Sequence, residues 1–119
     1  MVVDLQKDQD LEHLLERSKT DPVLIFKHST QCSISMQAYE EFTNFADGAG
    51  QLPCGIVLVI ENRKLSNAIA DRFGVRHQSP QAILIKDGQV VWHASQWSIT
   101  SDSLGDALKS YAQPPHQRN

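Results

Sequence analysis

The chain is short of cysteine, basic runs and long apolar runs, and each shortage removes a class of protein. Two cysteines in 119 residues cannot build the disulfide framework of a small secreted scaffold, and that count suits a reducing compartment. The longest apolar stretch, residues 55–60, is far too short to cross a bilayer. Residues 1–8 lack a basic region followed by an apolar one, so no secretory leader is expected, and a cytoplasmic location is. Eleven Lys and Arg against 14 Asp and Glu give a net charge of −3, with no cationic run to track a nucleic acid or an acidic membrane. No Cys or His pair has metal-ligand spacing, so a protein-only metal site is not expected. Repeats, linkers and low-complexity segments are also missing. A single domain over residues 1–112 is expected, with a polar, disordered tail over 113–119.

What the chain does have is an apolar run that stops at a short polar turn and delivers one cysteine to the start of a helical pattern. Val23-Leu24-Ile25-Phe26 shows no alternation, which is the pattern of a central strand covered on both faces. Lys27-His28-Ser29-Thr30-Gln31 follows, then Cys32, and a helix is expected from Cys32 to Phe45 with Ser35, Ala38, Tyr39, Phe42, Phe45 and Ala46 as its inner stripe. The first turn of a helix carries unbonded N–H groups and the positive end of the helix dipole, and both favour thiolate over thiol. Cys32 is therefore the candidate nucleophile. His28, four residues earlier, either stabilises that thiolate as an imidazolium or faces away from it.

The remaining elements follow from the same periodicities. Leu11, Leu14 and Leu15 mark a helix opened by Asp8 and Asp10 and ended at Thr20-Asp21-Pro22. Residues 54–60 read as a second buried strand. Leu65, Ala68, Ile69 and Phe73 mark a third helix stopped by Gly74. Two apolar runs flank Asp87-Gly88, a strong hairpin signal. Ser98 or Thr100 caps a last helix with Leu104, Leu108 and Tyr111 inward. The order is α-β-α-β-α-β-β-α. Its simplest closure is an α/β fold with a four-stranded mixed sheet and helices on both faces.

Cys54 is the other thiol. It opens the second strand, which is parallel to the first, so it belongs at the end opposite Cys32. Six strand residues separate those ends by roughly 20 Å, whereas a disulfide needs Cα atoms within about 7 Å. A semi-buried structural role is expected for Cys54.

The cysteine after the first strand and Ser79-Pro80 before the hairpin resemble the thioredoxin-like fold, in which a cis proline stands beside the reactive thiol. Within that fold, Lys27-His28-Ser29-Thr30, Cys32-Ser33-Ile34-Ser35, Leu65-Ser66-Asn67, the run from Ser79 to Gly88 and Val91-Trp92-His93-Ala94-Ser95 resemble the monothiol bacilliredoxins. The resemblance implies a cytoplasmic, monomeric thiol-disulfide oxidoreductase with no tightly bound cofactor. Its co-substrate is the low-molecular-weight thiol bacillithiol and its partners are bacillithiolated proteins. It implies a cis bond before Pro80. It also places Ser35 where a dithiol enzyme has its resolving cysteine. A hydroxyl cannot attack a disulfide, so Ser35 either hydrogen-bonds the sulfur or packs in the helix. Loops at the thiol end then supply the substrate contacts: Thr30, Gln31, Ser79 and Pro80 along an extended substrate, Arg63, Arg76 or His77 on its carboxylates, and Trp97 on its sugar. Two positions depart from relatives. Ser33 replaces the group's usual proline and frees an N–H for the sulfur. Phe26 stands where thioredoxins carry a buried aspartate, which disfavours a dithiol mechanism. Two other readings remain at this stage: an iron–sulfur cluster held between two subunits through one cysteine each, as in some monothiol glutaredoxins, and a redox-inactive adaptor.

Overall fold

The structure is a computed structural model that describes residues 2–50 and 52–111. In chain order the elements are β1 (Val2–Asp4), α1 (Asp8–Arg17), β2 (Val23–His28), α2 (Ser33–Gly48), β3 (Cys54–Leu58), α3 (Arg63–Phe73), β4 (Gln81–Lys86), β5 (Gln89–Ser95), a 3₁₀ turn (Gln96–Ser98) and α4 (Ser101–Tyr111). The tail expected over 113–119, and residue 112, lie outside the described residues. None of the described helices is long and apolar enough to cross a membrane.

The sheet has five strands in the order β1-β3-β2-β4-β5, not four. The extra strand is β1, which runs parallel to β3 with Val2 opposite Cys54 and Asp4 opposite Ile56. It is three residues long and exposed along its length, so it shows no run or alternation in the sequence. What places it is Leu5, buried to 1% exposure just beyond it. β2 is central, parallel to β3 and antiparallel to β4. All six of its residues are buried: the apolar run requires this of Val23 to Phe26, and Lys27 and His28 are buried beyond it. Alternation along β2 splits the core in two. Leu24 and Phe26 face α2 and α4, packing with Ala38, Phe42 and Leu104. Val23 and Ile25 face α1 and α3, packing with Leu11, Leu14, Leu65 and Ile69.

Boundaries shift where caps decide them. α2 starts at Ser33 with Cys32 as its N-cap and runs on to Gly48, beyond the expected Phe45. β3 ends at Leu58 rather than Ile60, because Val59 bonds back to His28 O at 3.0 Å and the chain then turns. At the start of α4, Thr100 and Ser103 exchange reciprocal bonds of 3.0 Å between side chains and backbone, which makes Thr100 the cap rather than Ser98. Asp87 and Gly88 take φ of 54° and 72°, the paired left-handed conformation of a tight hairpin.

Gly55 shows how closely Leu5 and α1 pack on the sheet. A Cβ there would stand 2.6 Å from Leu5 Cδ1 and 2.9 Å from Leu14 Cδ2. Both neighbours are themselves buried, so room has to be made by moving packed side chains. Gly55→Ala will lower unfolding free energy by about 1–3 kcal/mol in urea titration. A variant as stable as the parent would contradict this packing.

Candidate active site

Register alone fixes which loops share an end of the sheet. His28 pairs with Leu58, Lys27 with Gln81, and Gln81 with Ser95. The carboxyl ends of β2, β3 and β5 and the amino end of β4 therefore lie together. The segments 29–32, 59–63, 75–80 and 96–98 rim that end. The Ser79–Pro80 bond is cis, as the resemblance implied, and Pro80 O accepts the N–H of Gln96 at 3.0 Å. This bond ties the Trp97 turn to the proline.

Cys32 is partly exposed. It has extended backbone at the N-cap of α2, and its side chain makes no cap hydrogen bond. Its backbone is fixed on both sides: its N–H donates to Ser29 O at 3.4 Å and its carbonyl accepts from Met36 at 3.1 Å. The thiol thus stands at the amino end of a 16-residue helix, where unbonded N–H groups and the dipole favour negative charge.

Ser35 does not spend its hydroxyl on the sulfur. It is fully buried; its Oγ accepts the Ser29 N–H at 2.9 Å and shares a 2.7 Å hydrogen bond with His28 Nδ1. It packs on the inner face of α2, as one of the two readings has it, and its two hydrogen bonds tie the turn that presents Cys32. His28 is buried too, stacked on Tyr39 at 4.8 Å between ring centroids and on Phe26 at 5.7 Å. Burial pushes its pKa below the ordinary histidine value, with the charge of Glu61 opposing. A neutral ring packed against Ser35 and Tyr39 does not supply the imidazolium considered above. Ser35→Ala leaves the Ser29 N–H and a His28 ring nitrogen unpaired in the interior. It will cost about 1–3 kcal/mol of stability, read by denaturant unfolding; an unchanged midpoint would show that the turn does not depend on this hydroxyl.

Cys54 is buried to 1% exposure, opposite Leu24 at the start of β3. Because β3 stops at Leu58, four register steps, about 13 Å rather than the expected ~20 Å, separate it from the level of the end of β2, still beyond disulfide reach. Burial raises its thiol pKa to about 11. A groove of about 310 Å³ lined by Val3, Asp4, His13 and Cys54, among others, opens at that far end, remote from Cys32.

The other expected contacts are distributed around the thiol end. Thr30, Gln31, Arg63, Arg76 and His77 are exposed, and Ser79 is half-buried beside buried Pro80. Trp97 is 63% exposed, a large apolar side chain left in solvent. A residue with no functional reading in the sequence stands beneath them. Lys27 is fully buried, and its Nζ donates to Ser66 O at 3.0 Å and to His77 Nδ1 at 3.2 Å. The sequence gives one sign of it, a lysine inside the buried strand Val-Leu-Ile-Phe-Lys-His.

Comparison with known proteins agrees with this geometry. The sequence profile of the family described as monothiol bacilliredoxin BrxC matches residues 3–104. A solved structure of a thioredoxin-fold protein, an oxidoreductase candidate, superposes with TM-score 0.82 at 31% identity, over 89% of this chain and 92% of that one. Thioredoxin from Fasciola hepatica superposes with TM-score 0.75 at 19% identity, covering 92% of this chain and 97% of its own. Thioredoxin from Trypanosoma brucei brucei gives 0.75 at 14%, covering 92% and 88%; identities this low speak for the fold alone. A profile match over most of the chain, on a thioredoxin fold that presents one accessible cysteine, identifies the chain as a member of the monothiol bacilliredoxin BrxC family and a thiol-disulfide oxidoreductase.

Proposed function

We propose that the protein removes bacillithiol from mixed disulfides on other proteins. The observation that carries the reading is the isolation of Cys32: a partly exposed thiol at a helix start, with the second cysteine buried at the other end of the sheet. The Cys32 thiolate attacks the bacillithiol sulfur of the substrate disulfide. A new Cys32–bacillithiol disulfide forms as the old bond breaks, and the substrate cysteine leaves as thiolate and takes up a proton. The number of disulfides is unchanged. A second bacillithiol thiolate then attacks the bacillithiol sulfur on Cys32, regenerating the Cys32 thiolate and releasing bacillithiol disulfide. Having no resolving thiol in reach favours this two-molecule course over internal closure.

The rim supplies binding. An extended substrate segment pairs with the Ser79 backbone by strand addition, alongside Pro80, Thr30 and Gln31. Arg63 and His77 face the carboxylates of bacillithiol, and Trp97 stacks on its sugar. A reducing cytoplasm, rich in the small thiol, is the setting this cycle requires.

The test is transfer. A single-cysteine protein carrying bacillithiol is mixed with equimolar reduced enzyme, and intact masses of both are followed. The reading expects the bacillithiol mass to leave the carrier and arrive on the enzyme, then disappear on addition of free bacillithiol. A carrier that keeps its adduct at the rate seen without enzyme would refute it.

A further inference from the structure

Lys27 is costly to the fold and unexplained by the exchange chemistry. It sits on the apolar face shared by Val23 and Ile25, buried without a carboxylate partner. Among the described residues the ion pairs are Lys19 with Glu16 and Arg72 with Glu12; Lys27, Arg63 and His77 are in neither. A buried cation without an opposite charge opposes folding, and an apolar side chain of the same length serves stability as well or better. Its two hydrogen-bond partners, Ser66 O and His77 Nδ1, point to the thiol end of the sheet.

An ammonium group can only donate. The 3.2 Å contact from Lys27 Nζ therefore requires His77 Nδ1 to accept. The Ser66 hydroxyl, 3.4 Å from the same nitrogen, holds the ring from α3. With Nδ1 occupied as acceptor, the neutral ring carries its proton on Nε2, and His77 is exposed. The loop is also tied down from β4, because Gln81 Nε2 donates to Arg76 O at 3.0 Å. Among the described residues, the buried polar side-chain atoms without a hydrogen-bond partner are Ser79 Oγ and Gln81 Oε1; both belong to this end of the sheet.

We propose that Lys27 is a positioning residue that fixes the His77 tautomer, so that His77 Nε2–H and the Arg63 guanidinium form a recognition point for a carboxylate on the small-thiol half of the substrate disulfide. The inference rests on the thiol-exchange reading and names the feature of the leaving or accepting thiol that this end of the sheet selects. The charges around the pair agree. Burial, then the positive charges of Lys27 and Arg63, hold the His77 pKa below its ordinary value, and burial brings Lys27 down to about 8. The neighbours in register with Lys27 are Val57 on β3 and Gln81 on β4, both uncharged. An incoming carboxylate meets His77 Nε2–H and the Arg63 guanidinium, with the Lys27 charge buried behind the ring; the acidic group on the same rim is Glu61, whose charge acts on His28. Selectivity for the carboxylate declines as pH rises through about 8, where Lys27 loses its charge and no longer holds Nδ1 as an acceptor.

The test uses one carrier peptide bearing either mercaptosuccinate or 2-mercaptoethanol as a mixed disulfide. The parent protein is expected to show a KM about tenfold lower for the mercaptosuccinate adduct, the size of one charge-assisted contact. In Lys27→Met and His77→Leu that ratio falls to about one, while His77→Gln, which retains an amide donor, recovers part of it. Nitrogen-15 NMR of the His77 ring gives an independent reading. The parent shows the Nε2–H tautomer, and Lys27→Met shows a mixture that protonates at higher pH. Equal KM values in the parent, a ratio that survives Lys27→Met, or an Nδ1–H tautomer would each overturn the proposal. Failure of both adducts to transfer would instead refute the exchange reading, and the NMR result would still decide the Lys27–His77 pairing.

Discussion

Cys32→Ala will abolish exchange, with a fall of at least about 1,000-fold, as expected when a covalent nucleophile is removed. Cys54→Ala will retain it. Both expectations follow from position. Cys32 is the partly exposed thiol at the N-cap of α2, and the thiolate form is the one that attacks a disulfide. Cys54 is walled in at the far end of β3, with its pKa pushed up to about 11, so only about one part in 10,000 is thiolate at pH 7. Opening the sheet to reach a disulfide would expose the core around it. Turnover of a mixed-disulfide substrate, with each variant checked for folding by circular dichroism, separates the two cysteines. Activity that survives Cys32→Ala would move the chemistry elsewhere.

Phe42→Ala will cost about 3–5 kcal/mol, the range for emptying a large aromatic site in a packed core. Phe42 is fully buried and stacks on Phe26, with ring centroids 4.8 Å apart and planes 5° from parallel. Phe26 in turn stacks on His28, and His28 on Tyr39. The stack therefore runs from the centre of the α2 face to the turn that carries Cys32. The deletion will show in urea unfolding as a large drop in midpoint. A loss under 1 kcal/mol would mean that neighbouring side chains collapse into the space, and that the aromatic column does not set the position of α2.

Much of this was readable from residue pattern. The four apolar residues before Lys27 marked the central strand, Asp87-Gly88 marked the hairpin, and the 3.6-residue spacing of Leu11, Leu14 and Leu15 marked α1. These are strong local signals, and tertiary contacts did not override them. β1 escaped because three exposed residues on a sheet edge carry no periodicity; only pairing with β3 makes them a strand. The placement of Cys32 and Pro80 at one end followed from topology. The partners of Ser35 and His28 did not, since a helix-start serine and a strand-end histidine give no hint of each other. Lys27 was hidden for a related reason. Its spacing from Ser66 and His77 is 39 and 50 residues, and no local pattern links positions so far apart. The single clue was a charged residue directly after four apolar ones in a strand read as buried, which is unusual enough to ask what it serves.

The most direct measurement is the intact mass of the reduced protein after exposure to oxidised bacillithiol, followed by mapping of the adduct. The account predicts one bacillithiol per chain, on Cys32, present in Cys54→Ala and missing in Cys32→Ala. An adduct on Cys54, or an internal Cys32–Cys54 disulfide with no adduct, would contradict it.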